Sequence, residues 1–361
     1  MMLIFAGLGL VAFMSASMLA LDVGMFMVAR TQAQAAADAG ALAGAMALYY
    51  DNWNDRSAGG PAVQNAIKAA TAQANAVMHT PVSVEPADVT FPAVDKVRVR
   101  VLRTAARGNP LMPMIAPMFG INQVDMGAEA TAQAAPANAM TCLKPFTIPD
   151  KWEERHPPAD EFNIVDSKGI PLANPDRYVP TGDGATGWDS YNDRGVQVVI
   201  KAGQGSQIAP SYYYPYAMGE NTGADWYREN IAGCNNDIME PGDLLRAEPG
   251  NMSGPTKQGV ADLIAKDPDA KWDDVNKRVV SKYHPSPRVV TIPVFDPVYY
   301  HTGKMNSSNA DLKVADFIGI FIEGMQGNDV VARITPVSGL LTGDAGPAPA
   351  DAFPRAIVLV K

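Results

Sequence analysis

The sequence predicts an α+β protein: an N-terminal transmembrane helix continuing into an Ala-rich helix, a small α+β head, and then a β-rich domain. Three observations predict it. Residues 3–21 contain no charged side chain. Residues 23–50 contain no proline and are rich in alanine, the best helix former. Beyond residue 95, short segments alternate apolar and polar residues, the period of a half-buried strand. A chain of 361 residues accommodates two or three domains, and the pattern divides it at 1–50, 51–136 and 137–361.

The uncharged run of about 19 residues would be about 28 Å long as a helix, close to the hydrocarbon thickness of a bilayer. A cleavable signal peptide is the rival reading. No basic residue precedes Arg30, however, and the apolar run is long for such a peptide. The membrane is therefore the expected partner of residues 3–21. Arg30 taken alone votes for a cytoplasmic C-terminal side, although long domains translocate largely regardless of charge. Asp22, at the end of the run, is either a boundary mark or a lateral charge that meets an amine or Arg30 of a neighbour.

After Asp22 the helical pattern continues. Gly40 and Gly44 form a GxxxG, and Ala33, Ala37 and Ala41 recur at spacing four on a nearby face. Small residues at this spacing let helix backbones approach closely. The seam faces either the chain's own head or a neighbouring subunit. Gly59 and Gly60 stop the helix, and Pro61 suits the first turn of a second one, with Val63, Ile67, Ala70, Ala74 and Val77 on one face. Residues 95–103 place Val97, Val99 and Val101 on one side of a strand and Lys96, Arg98 and Arg100 on the other. Residues 109–121 read as an apolar, Pro-broken turn, and residues 124–134 alternate again.

The later part is richer in Tyr, Trp, Pro and Asp. Strands are predicted at 196–202, 288–295, 317–325, 329–337 and 356–361, and a helix at 254–267. Runs of strands between long loops indicate a β-rich core. With 31 Gly and 29 Pro, many turns are expected. A net charge of −9 argues against a nucleic-acid partner. The two cysteines, Cys142 and Cys234, are too few for a disulfide framework and match no zinc spacing. They pair if this part of the chain lies outside the cytoplasm, and otherwise are two separate buried thiols.

Little points to chemistry. His79, His156, His284 and His301 form no metal-binding pair, and no nucleophile elbow or phosphate loop is present. No catalytic residue, cofactor site or metal site is assigned. Asp183, Asp189, Asn192 and Asp193 lie in an oxygen-rich loop that could hold calcium or simply make turns. Tyr212, Tyr213, Tyr214 and Tyr216 are candidate contacts for a partner or glycan, or else core residues.

Asp22-Val23-Gly24, Phe26, Ala29-Arg30 and Gln34-Ala35-Ala36-Ala37-Asp38-Ala39, following an apolar run, resemble the N-terminal module of Tad (Flp) pilus-assembly proteins of the TadE/TadG-like group. The likeness extends more loosely over a pilin-like head to about residue 135. The resemblance implies an inner-membrane, single-pass anchor with the C-terminal bulk in the periplasm or outside the cell. It also implies a non-enzymatic, TadG-like component of the pilus or secretion machine that contacts other pilin-like subunits. No Asp-x-Ser-x-Ser motif supports the metal-dependent adhesion domain of larger relatives. The rival functions are an anchored adhesin or ligand-binding module and, with no triad behind it, an anchored hydrolase.

Overall fold

The computed structural model describes residues 2–77, 81–156, 161–182, 184–189, 191–202, 207–219, 222–248, 250–306, 311–343 and 352–360. His79 and Asp183 lie outside these residues. The chain divides into two compact units, Met1–Ala134 with Ile357–Lys361, and Ala135–Ala356.

In the first unit, α1 (Met2–Tyr50) is a single helix of 49 residues, about 74 Å long at 1.5 Å per residue. Its second half lies against α2 (Pro61–Val77) and against a sheet containing β1 (Val89–Ala93), β2 (Lys96–Arg103) and β3 (Met126–Pro136). The C-terminal strand, Arg355–Val360, completes that sheet beside β3. The core uses small side chains. Ala33, Ala36, Ala37, Ala41 and Ala45 of α1 are fully buried with Ala62, Ala66, Ala70 and Ala74 of α2. Alanine on alanine gives little apolar area per residue but lets the two helix axes come close. Val97, Val99 and Val101 of β2 close the core from the sheet side, while Lys96, Arg98 and Arg100 point away from it.

The transmembrane helix expected over residues 3–21 is not supported. Among the described residues, no helix is long and apolar enough to cross a membrane. The single-pass topology loses its support with it. Residues 3–21 form the first part of α1, a single helix that runs on without a break through Asp22. Beyond Asp22 the same helix becomes a core helix of its own head.

The second unit contains β4 (Phe146–Pro149), β5 (Gln197–Ala202), β6 (Tyr212–Pro215), α3 (Ala224–Ala232), β7 (Leu244–Leu245), α4 (Ser253–Ala265), β8 (Lys271–Asp273), β9 (Arg278–Val280), β10 (Val289–Phe295), α5 (Pro297–Asn306), β11 (Leu312–Gln326) and β12 (Asp329–Ile334). The strand order is β10-β4-β6-β5-β12-β11-β7, and β10 also pairs with β11. The sheet therefore closes on itself in a barrel-like ring, with β7 outside the ring and β8–β9 a separate hairpin. Closure removes exposed strand edges. The interior is filled by Phe146, Ile148, Ile200, Tyr213, Ile292, Val294, Ile318, Ile320, Ile322 and Ile334. A second cluster stacks Tyr214, Phe295 and Tyr300 edge to face at 5.0 to 5.4 Å, a geometry that contributes beyond burial alone.

Arg288 locks β10 and β11 to the chain after α4. Its guanidinium donates to the carbonyls of Ile322, Glu323, Asp267 and Ala270 and stacks over Phe321. Asp267 is fully buried, and its Oδ2 accepts from the hydroxyls of Ser281 (2.5 Å) and Ser286 (2.6 Å).

Candidate functional site

Asp22 sits where the apolar half of α1 meets the head. Its side chain is only 1% exposed. Oδ1 accepts the backbone N–H of Met114 at 2.7 Å, and Oδ2 accepts those of Ile115 and Ala116 at 2.9 and 3.0 Å. The carboxylate thus holds the apolar turn 109–121 onto the helix from 92 to 94 residues away in sequence. Burial alone would raise its pKa. The three donated hydrogen bonds outweigh burial and hold it below the ordinary value. The anion is satisfied by three backbone N–H groups of its own head.

The clamp leaves apolar side chains in the open. Met112, Met114 and Ile121 of the turn are exposed, as are Leu21, Val23, Met27 and Val28 of α1 and, further toward its start, Phe5, Leu10, Phe13 and Met14. A run of exposed apolar residues of this extent marks an interaction surface. Asp22→Ala is expected to leave α1 intact. It should speed amide exchange at Met114, Ile115 and Ala116 by about tenfold or more, as local opening of the turn replaces the clamp; hydrogen exchange read by mass spectrometry checks this.

The two faces of α1 differ. A Cβ built on Gly40 would lie 2.8 Å from Ala70 Cβ and 3.0 Å from Ala66 O, and one on Gly44 2.8 Å from Val97 Cγ1 and 3.0 Å from Ala66 Cβ. The GxxxG seam is thus occupied by the chain's own α2 and β2. Gly24 has nothing within 4 Å. Arg30 is exposed and lines, with Met27, Thr31, Gln34, Ala35 and Asp38, a shallow open groove along the free face of α1. Gln34 donates to Asp38 Oδ1 at 2.9 Å and to Glu129 O at 3.1 Å, which fixes the groove's polar end.

Residues 1–47 match the family model described as putative Flp pilus-assembly TadE/G-like. No curated protein and no solved structure matches the chain. The TadE/G-like segment ends inside α1, so it takes in Asp22, the residues of the free groove and the two glycines of the closed seam, while the turn that holds Asp22 lies beyond it. The second unit lies wholly beyond it.

In that second unit, Cys142 and Cys234 are joined by a disulfide. Beside it, the buried Lys144 donates to the carbonyls of Asn230 and Gly233 at the end of α3. Burial, with Lys266 nearby, pushes its pKa down to about 8. Tyr213, Tyr214 and Tyr216 are buried and Tyr212 is half-buried. Their hydroxyls turn inward too: Tyr213 donates to Asn251 O at 3.1 Å and Tyr214 to Gln207 O. The tyrosine segment is strand β6 and its continuation, not an exposed loop.

The acidic loop uses its carboxylates on itself. Asp189 Oδ1 accepts the N–H groups of Tyr191 and Asn192. Asp193 accepts Asp189 N–H and pairs with Lys151 at 2.7 Å. Among the described residues, no group of three or more His, Cys, Asp or Glu is placed to hold a metal ion.

Asp150, buried at the end of β4, is the residue that sequence reasoning missed. It accepts from Tyr178 Oη, Trp188 N and Lys151 N, and Gly187 passes so close that a Cβ there would be 2.8 Å from Oδ2. Burial pushes its pKa up to about 6, with Asp296 adding, against the lowering by these hydrogen bonds. The folded state therefore holds a proton between about pH 4 and 6 that the unfolded chain has released. The expected result is that the second unit loses stability as pH rises through this window and levels off above it. Thermal melts at a series of pH values check the slope, which Asp150→Asn should flatten.

Proposed function

We propose that the protein is a membrane-associated, TadG-like component of Flp-pilus assembly that works through protein–protein contacts and not catalysis. One observation carries this reading. The TadE/G-like segment is a helix whose one face is sealed by its own head, while the other presents an open glycine, exposed apolar side chains and a groove beginning at Arg30. A helix stabilised from one side, with apolar surface left on the other, is built to receive partners. The exposed apolar residues of its first half support membrane association. The disulfide supports an extracytoplasmic location for the second unit, since such bonds persist in oxidising compartments.

The test is genetic. Deletion of the gene in its own organism should abolish or sharply reduce surface pili, and complementation with the full chain should restore them. Normal pilus numbers after deletion would overturn the reading. Protease added to intact spheroplasts should cleave the second unit; full protection there would remove the extracytoplasmic part of the proposal.

A further inference from the structure

The turn held by Asp22 exposes apolar side chains while its polar groups are used inside the protein. No charged residue lies between Arg107 and Asp125, and no charged side chain precedes Asp22. The charges that bound the turn serve the head. Arg107 pairs with Glu85 and Asp88 at 3.0 and 2.9 Å, and Asp125 accepts the N–H of Ala105 at 2.8 Å. Met112, Met114 and Ile121 are 65%, 72% and 51% exposed. The Asp22 clamp sets this turn against α1 where Leu21 and Val23 are exposed as well.

The backbone of the turn is paired to match. Pro110, Pro113 and Pro117 have no N–H to offer. The N–H groups of Met114, Ile115 and Ala116 go to Asp22. Asn109 donates to Thr104 O, Leu111 to Val124 O, Gly120 to Pro117 O and Ile121 to Ala116 O. A loop that faces water does not need such internal pairing, because solvent supplies partners. A loop that faces hydrocarbon requires it.

We propose that the turn 109–121 seats in the outer apolar layer of a lipid bilayer, beside the apolar half of α1. A protein partner fits this surface less well. Protein interfaces carry about one hydrogen bond per 100–200 Å², and the turn offers neither charged side chains nor more than a few backbone donors. Lipid asks only for apolar area. The clamp then has a second use: it keeps a carboxylate at the membrane edge buried and paired. The inference rests on the reading of α1 as membrane-associated and adds a second, sequence-distant element to that contact.

The full chain is tested on phosphatidylcholine vesicles. Met112→Cys and Met114→Cys each carry an environment-sensitive fluorophore, and Val94→Cys, 70% exposed between β1 and β2, is the control. The native cysteines are joined to each other and do not take the label. On vesicles, the labels at 112 and 114 should shift to the blue, be quenched by nitroxides on the acyl chains and lose quenching by aqueous iodide. The label at 94 should stay open to iodide. Met112→Gln with Met114→Gln should weaken partitioning by about tenfold or more with an unchanged melting curve. A chain that floats with vesicles while its 112 and 114 labels stay open to iodide overturns the proposal and spares the membrane reading of α1. Labels shielded from both quenchers overturn it in favour of a protein cover. A chain that does not float removes both readings.

Discussion

Leucine at both Gly40 and Gly44 is expected to unfold the first unit. Each glycine lies against fixed structure. Gly40 faces the backbone carbonyl of Ala66 and the Cβ of Ala70; Gly44 faces Val97 and Ala66. Even a methyl group at either site falls below 3.0 Å from its nearest neighbour. Alanine would add about 0.5–1 kcal/mol of helix propensity, but overpacking a filled core costs about 1–3 kcal/mol, so the single Ala variants should be net destabilised. One leucine should cost about 3 kcal/mol, and two on one seam a large fraction of a typical domain stability of about 5–15 kcal/mol. Gly24→Ala is the control. With nothing within 4 Å, it should stabilise the helix by the propensity term alone. Circular-dichroism melts of these variants give the ordering directly.

Removal of the disulfide should cost the second unit nearly as much. The bond spans 92 residues, and the chain-entropy account assigns a loop of that length about 4–5 kcal/mol. The bridge ties the strand-free entry at Cys142 to the end of α3, where Lys144 and Lys266 already hold the terminal carbonyls. Cys142→Ser with Cys234→Ser is therefore expected to lower the denaturant midpoint of the second unit markedly. The first unit, with no cysteine, should be unaffected. A midpoint unchanged by the double substitution would contradict this.

The parts of the fold that depend on local periodicity were legible in the sequence. Val97, Val99 and Val101 sit at period two and are buried, and the helix read at 254–267 is α4 within one or two residues. Relations between distant segments were not. Asp22 was visible as a charge at the end of an apolar run. Its partners, however, are backbone N–H groups in a Pro-broken turn, and backbone donors leave no mark in sequence. The tyrosines at 212–216 resemble a loop because prolines flank them, yet the closed sheet buries them against Phe146, Phe295 and Tyr300. The last strand alternates as expected, but alternation does not name the sheet, and its residues from Ile357 belong to the first unit. The two readings of the GxxxG seam were equally compatible with its spacing; only the distances to Ala66, Ala70 and Val97 separate them.

The central feature of α1 is that it has a closed face and a working face. Met27→Glu with Val28→Glu tests this in the organism, since both side chains are more than half exposed and no core contact is lost. Pilus numbers are counted beside the melting curve of the purified variant. The expected result is an unchanged melt and a loss of surface pili. Normal piliation from a chain carrying both glutamates, made at its usual level, would contradict it.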